Sequence, residues 1–153
     1  MNISISKQAV LKCISRDEEN NKCFDCGTIK PLWASTNNGI MICLHCCGLH
    51  RNTLKDVHIS RVRSLNLDMW TEKHLKLMEE GGNQKLKTFL QTYDLDEVQD
   101  IGIKYKSKAA DYYRRMLEAN ATLKPFTEIA PTYEEGRTLI DGSHLDQNGN
   151  IIE

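Results

Sequence analysis

Two cysteine pairs, Cys23-Phe24-Asp25-Cys26 and Cys43-Leu44-His45-Cys46, stand sixteen residues apart and limit what this chain can fold into more than any other feature. Each Cys-x2-Cys is a tight turn that aims two thiolates at one point. Two such turns at this separation form the ligand set of a tetrahedral Zn²⁺ site. Four thiolates complete the tetrahedron and leave no position for water or substrate, so the metal is expected to be structural and to do no chemistry. Cys13 and Cys47 are left over: Cys13 falls within a helical pattern as a small core residue, and Cys47 adjoins a ligand at the wrong spacing for the turn. Arg51 follows five residues after the last ligand. A metal scaffold is one way to hold such a cation rigidly.

The 153 residues suit one domain, with 27% charged and 40% hydrophobic residues. No apolar run approaches the roughly 18 residues of a membrane span, and the amino terminus lacks a signal peptide's basic-then-apolar layout. A cytosolic or nuclear compartment is therefore expected, where thiols stay reduced and paired cysteines favour metal over disulfides. Net charge is −1, unevenly spread: +4 over residues 1–66, balanced over 67–124 and −5 over 125–153. That is too little basic excess for a protein that lives on nucleic-acid phosphates. The small cluster Arg51, Lys55, Arg61, Arg63 suits one concentrated anionic target better than a long polyanion.

Along the chain, Val10, Leu11 and Ile14 recur at helical spacing within 6–15. Trp33-Ala34-Ser35 and Ile40-Met41-Ile42 flank an Asn37-Asn38-Gly39 turn as a short hairpin, and Val57–Leu65 reads as a third strand. A helix is expected from Leu44 to about Arg51. Asp68 is a plausible N-cap for a helix carrying Trp70, Leu77 and Met78 that ends at Gly81-Gly82. Asn83 can cap the next, with Leu86, Phe89 and Leu90 as its apolar face. One further helix uses Tyr105, Ala109, Tyr112, Tyr113, Met116 and Leu117. After Pro125 the periodicity dissolves, which predicts a loosely ordered acidic tail.

A closed four-cysteine site also occurs in DNA-binding fingers, where the helix after the second pair enters the major groove. Here residues 47–54 offer a single arginine to bases and phosphates, which weakens that reading. His50 and His58 lie near the arginine with no nucleophile or carboxylate arrangement of a hydrolase. Since the zinc is saturated, hydrogen bonding that braces the arginine loop is the role expected of them.

In shared order, Pro31-Leu32-Trp33-Ala34-Ser35, Gly48-Leu49-His50-Arg51, His58-Ile59-Ser60-Arg61-Val62-Arg63-Ser64-Leu65, Asp68-Met69-Trp70, Gly81-Gly82-Asn83 and the cysteine pairs resemble the catalytic domain of Arf GTPase-activating proteins. Residues 17–24 and Lys104-Tyr105-x2-Lys108-Ala109-Ala110-x2-Tyr113-Arg114 resemble the Golgi-type branch. The resemblance spans roughly residues 6–118 and implies an α+β fold: a small four-cysteine zinc-finger domain (6–120) with a short three-stranded sheet surrounded by about five or six helices, then the acidic tail (121–153).

It further implies Cys23, Cys26, Cys43 and Cys46 as ligands of structural Zn²⁺, and Arg51 as an arginine finger. Trp33, Ile42, His50 and Asp68 become partner-binding or finger-supporting residues. The implied activity is stimulation of GTP hydrolysis by an Arf-family small GTPase, which itself carries GTP and Mg²⁺, so the chain is an activator and not an enzyme in its own right. Coat proteins are further candidate partners, and no nucleic acid is expected. The implied place is the cytoplasm at Golgi membranes, reached through the partner or through segments beyond Glu153. The alternative from another class is a module that docks on a GTPase or coat protein without stimulating it. One departure bears on the outcome: Arg51–Val57 is two residues longer than the short Leu-Gly turn usual in the family, and Cys47 stands where serine is common.

Overall fold

The computed structural model describes residues 4–153. Strand β1 (Ser4–Ile5) leads into α1 (Lys7–Ile14), whose N-cap Ser6 accepts the amide of Ala9, satisfying one of the free donors of the first turn. Val10, Cys13 and Ile14 form the buried face of α1. Strands β2 (Trp33–Ser35) and β3 (Ile40–Ile42) form the expected hairpin, with Trp33 opposite Ile42 and Ser35 opposite Ile40. Strand β4 (Val62–Ser64) pairs antiparallel with the other edge of β2, giving the order β3-β2-β4.

Alternation along these strands divides the interior. Ala34 and Met41 face a cluster with Val10, Ile14, Leu65, Trp70 and Met78. Ile40 and Ile42 face the larger cluster built by Leu77, Leu86, Leu90, Leu95, Tyr105, Tyr113 and Leu117, which also takes in Cys23, Cys46 and Cys47. Gly39, at φ +67° in the hairpin turn, touches this core: a Cβ there would lie 2.9 Å from Leu117 Cδ2. Only glycine fits both the conformation and the space.

The third strand is shorter than the Val57–Leu65 expected. The Asp56 carboxylate accepts the His58 amide, and the Asp56 carbonyl accepts those of Ile59 and Ser60, so local turn bonds take the donors a strand needs. Asp68 does not begin a helix. Its carboxylate accepts the Ser64 amide (2.7 Å) and closes a turn, and Trp70–Thr71 form β5, paired with β1. Helix α3 (Glu72–Glu80) starts at Thr71, where Thr71 and His74 make a reciprocal capping box.

Helix α2 (Leu44–Leu49) starts within the second cysteine pair, with Cys43 as its N-cap and Cys46 inside it, and α4 is Asn83–Gln91. The aromatic stripe expected on one helix is broken at Ser107 into α5 (Ile101–Lys106) and α6 (Lys108–Ala121). Ser107 adopts extended φ/ψ and its hydroxyl caps the Ala110 amide, a local competition that periodicity does not register. With α7 (Tyr133–Arg137) the described residues hold seven helices. No helix among them is long and apolar enough to cross a membrane.

Within residues 125–153, which lack periodicity, Gly136, Arg137, Leu139 and Gly149 are buried while most of the other side chains are exposed. Arg137, 6% exposed, donates to the carbonyls of Tyr93, Asp94 and Asp146. Leu139 is buried beside Ser107. Carbonyl capping by an arginine, rather than an apolar stripe, anchors the segment.

Candidate metal centre and arginine turn

The first cysteine turn is shaped by backbone bonds: the Gly27 amide donates to the Cys23 carbonyl (2.9 Å) and the Cys23 amide to the Thr28 carbonyl (2.7 Å), with Gly27 at φ +80°. The second is the start of α2, where Cys43 is the N-cap and its Sγ accepts the Cys46 amide. The two turns bring the Sγ atoms of Cys23, Cys26, Cys43 and Cys46 within 4.8 Å of one another, with Cys26 and Cys43 3.6 Å apart. A tetrahedron with Zn–S bonds near 2.3 Å needs sulfurs about 3.8 Å apart. The donor set fits Zn²⁺.

Burial pushes the Cys23 thiol up to about 11, and burial together with the neighbouring sulfurs raises Cys46 further. The Thr28 hydroxyl pulls Cys26 down to about 7. Such a group of thiols resists losing its protons together unless a cation offsets the charge. Cys47, buried and raised by that burial, is not among the four, and Cys13 lies in the other core cluster.

Arg51 lies just past α2, in the π-helical turn His50–Leu54 that continues it. The turn takes up the first part of the Arg51–Val57 segment and ends at Lys55 in the left-handed region (φ 53°). Arg51 is exposed, and its guanidinium carbon sits 4.9 Å over the Trp33 ring. Among the described residues no acid lies within ion-pair distance of it.

Of the residues expected to support it, Trp33 and His50 stand beside it. Ile42 does not reach the surface: it is fully buried opposite Trp33 in the hairpin, within the larger core cluster. Asp68 is committed to the Ser64 amide, though its charge and that of Arg51 both act on Cys47. His58 is exposed and only its backbone joins the loop's bonds.

His50 is buried with both ring nitrogens occupied: Nδ1 lies 2.6 Å from Ser60 Oγ and Nε2 2.7 Å from Asp25 Oδ2. The other Asp25 oxygen accepts the Tyr105 hydroxyl at 2.6 Å. Burial, then the Asp25 charge, pushes Tyr105 far above its ordinary range, so its proton stays in that bond. Beyond Ser60 the chain continues through Ser35 (2.8 Å) and Asn38 (2.9 Å) to the buried Arg114 (3.1 Å). Because a carboxylate only accepts, His50 donates from Nε2 and, when neutral, accepts from Ser60 at Nδ1.

Asp25, Ser60 and Tyr105 were not singled out from sequence. The available signal was an acidic residue between two metal ligands, where the metal itself asks for none.

A family model described as "ArfGap: Putative GTPase activating protein for Arf" matches residues 8–124. ADP-ribosylation factor GTPase-activating protein 3 of Bos taurus is 38% identical over 131 residues, covering 81% of this chain and 25% of that protein. Stromal membrane-associated protein 1 of Mus musculus is 46% identical over 80 residues, covering 52% of this chain and 18% of that protein. This chain thus spans about a quarter or less of these relatives. The crystal structure described as "putative GTPase activating protein for ADP ribosylation factor from Cryptosporidium parvum" superposes with a TM-score of 0.56 at 29% identity, covering 78% of this chain and 94% of that one.

Proposed function

Because this chain belongs to the Arf GTPase-activating protein family, we propose that it accelerates GTP hydrolysis by an Arf-type small GTPase, with Arg51 inserted into the partner's nucleotide site. The observation that carries this reading is an exposed guanidinium with no acid within ion-pair distance among the described residues, 4.9 Å over the Trp33 ring beside four clustered sulfurs. Charge that builds on the β- and γ-phosphate oxygens as the bond to the γ-phosphorus breaks would be offset by that cation. The planar fork of arginine can engage two oxygens together, which lysine cannot. The partner would bring GTP, Mg²⁺ and the residue that orients the attacking water. Cys23, Cys26, Cys43 and Cys46 would hold a structural Zn²⁺, which supplies rigidity alone.

The exposed Leu44, Leu49 and Val57 near the arginine turn offer apolar area for docking on a protein surface. Likeness to ADP-ribosylation factor GTPase-activating protein 3 supports an Arf-type partner, and the place proposed is the cytoplasm at Golgi membranes.

The test is single-turnover GTP hydrolysis by a panel of GTP-loaded Arf proteins. Arg51→Lys is expected to keep its metal content and its affinity for the partner while losing roughly 10³–10⁵ of the rate. Full stimulation by that variant would sink the finger assignment. Binding without acceleration by the unaltered chain would instead favour the non-stimulating module.

A further inference from the structure

The arginine turn is poorly determined by its own backbone. It is a single π-helical turn of five residues, a rare form, and it closes on Lys55, a non-glycine residue in the left-handed region. Such conformations persist only where the surroundings over-determine them. Here the surroundings are a clamp. Asp25 sits between two clustered cysteines and therefore cannot move independently of them. Its side chain is 5% exposed, and a buried carboxylate is costly unless its oxygens are filled. One oxygen is filled by His50 at 2.7 Å, the residue just before Arg51, and the other by Tyr105 of α5 at 2.6 Å. Tyr105, fully buried, also packs edge-on against the His50 ring at 4.7 Å. Helix α5 reaches the turn a second time at Gly102, where a Cβ would lie 3.7 Å from Thr53 Cγ2.

We propose that Tyr105 is a positioning residue for Arg51: its hydroxyl locks the Asp25 carboxylate, the carboxylate locks the His50 ring, and the ring fixes how the arginine turn leaves α2. The aim of the guanidinium over Trp33 is thus referenced to helix α5, more than fifty residues away in sequence, as well as to the clustered sulfurs. Its catalytic consequence rests on the activity proposed above; its geometric consequence does not. Tyr105 lies two side chains removed from Arg51 and touches no reacting group.

Tyr105→Phe removes only the hydroxyl and keeps the ring against His50. Two measurements on the metal-loaded protein separate the possibilities. In NMR spectra, the Arg51 side-chain resonances carry the ring-current shift of Trp33, and in Tyr105→Phe that shift is expected to fall by at least half. In turnover with a GTP-loaded Arf, kcat is expected to drop about 10- to 100-fold, the size of effect a small misplacement produces, with KM and the metal-to-protein ratio unchanged. His50→Gln, which keeps one donor toward Asp25, should lie between the unaltered chain and Tyr105→Phe in both measurements.

An Arg51 shift unchanged in Tyr105→Phe overturns the proposal whatever the turnover assay gives. So does loss of metal or of dispersed spectra in both variants, since the hydroxyl would then hold the fold rather than aim the arginine. Absence of stimulation by the unaltered chain defeats the GTPase reading alone and leaves the NMR result to decide this one.

Discussion

Residues 22–66 and residues 72–121 are built on opposite plans. The first region contains the four clustered sulfurs and the arginine turn, its strands are three residues long and its one α-helix has six. Elements so short do not stand on their own propensity. Besides the apolar contacts of Ala34, Ile40, Met41 and Ile42, they are tied by polar links: the sulfurs, the Asp25–His50–Ser60–Ser35–Asn38 chain, and Asn37, which accepts the Arg61 amide and donates to the His58 carbonyl. The second region has helices of nine, nine and fourteen residues, with the six-residue α5 between the last two, and apolar faces that meet at Leu77, Leu86, Leu90, Tyr113 and Leu117. A surface that must present one side chain at a defined angle is served by directional bonds. The shell that supports it is built mostly by non-directional packing, with Tyr105 as its directional link to the first region.

The comparison breaks most readily at the metal. Structural zinc sites contribute roughly 10–16 kcal/mol in small peptides, so a strong chelator is expected to abolish the near-ultraviolet signal of Trp33 while much of the far-ultraviolet helical signal persists. Simultaneous loss of both signals would show that the helices depend on the metal as much as the strands do.

A smaller effect sharpens the other side. Leu117→Ala removes a fully buried side chain from the helical core and should cost about 2–5 kcal/mol in urea unfolding. Because Leu117 abuts Gly39 of the hairpin turn, the loss should appear as one shifted transition and not as selective melting of the helices. Two separate transitions would mean the regions unfold independently.

The smallest expected effect lies at their border. Burial, helped by Arg63, Lys73 and Arg61, holds the His74 ring down to about 4, against an ordinary value near 6.5. Trp70 meets it edge-on at 6.0 Å, and its Nδ1 accepts the Thr71 amide, which a protonated nitrogen cannot do. Between those two values the unfolded chain binds the extra proton. The contribution of His74 is therefore complete above about pH 6.5 and is lost as pH falls toward 4. His74→Gln keeps an acceptor without titrating, so the fall in urea midpoint from pH 7 to pH 5 should be shallower than in the unaltered chain. An equal fall in both would assign the pH dependence to other groups.

Much of this was legible from residue patterns. The cysteine spacing, the Asn37-Asn38-Gly39 hairpin and the stripes of α4 and α6 each follow from a local rule, and each stands in the structure. The order of the quoted motifs was enough for the family. What escaped was whatever depends on a polar side chain finding a distant partner. Asp25 reads as a spacer between ligands until Tyr105 is seen eighty residues away. Asp68 reads as a helix cap until Ser64 takes its carboxylate. Ile42 reads as a partner-binding or finger-supporting residue, and in the structure it is buried in the larger core cluster. Periodicity reports which face is apolar; it carries no information about which carbonyl an Arg137 will find.

The resting place of Arg51 on Trp33 has a consequence for docking. A loose arginine holds roughly 2 kcal/mol of rotamer freedom, which it would surrender on entering a partner's pocket. Resting over the indole, this side chain would give up part of that freedom beforehand. A cation–π contact at an exposed site is worth only about 0.5–1 kcal/mol, so lifting the guanidinium off the ring to engage a partner would be a shallow step.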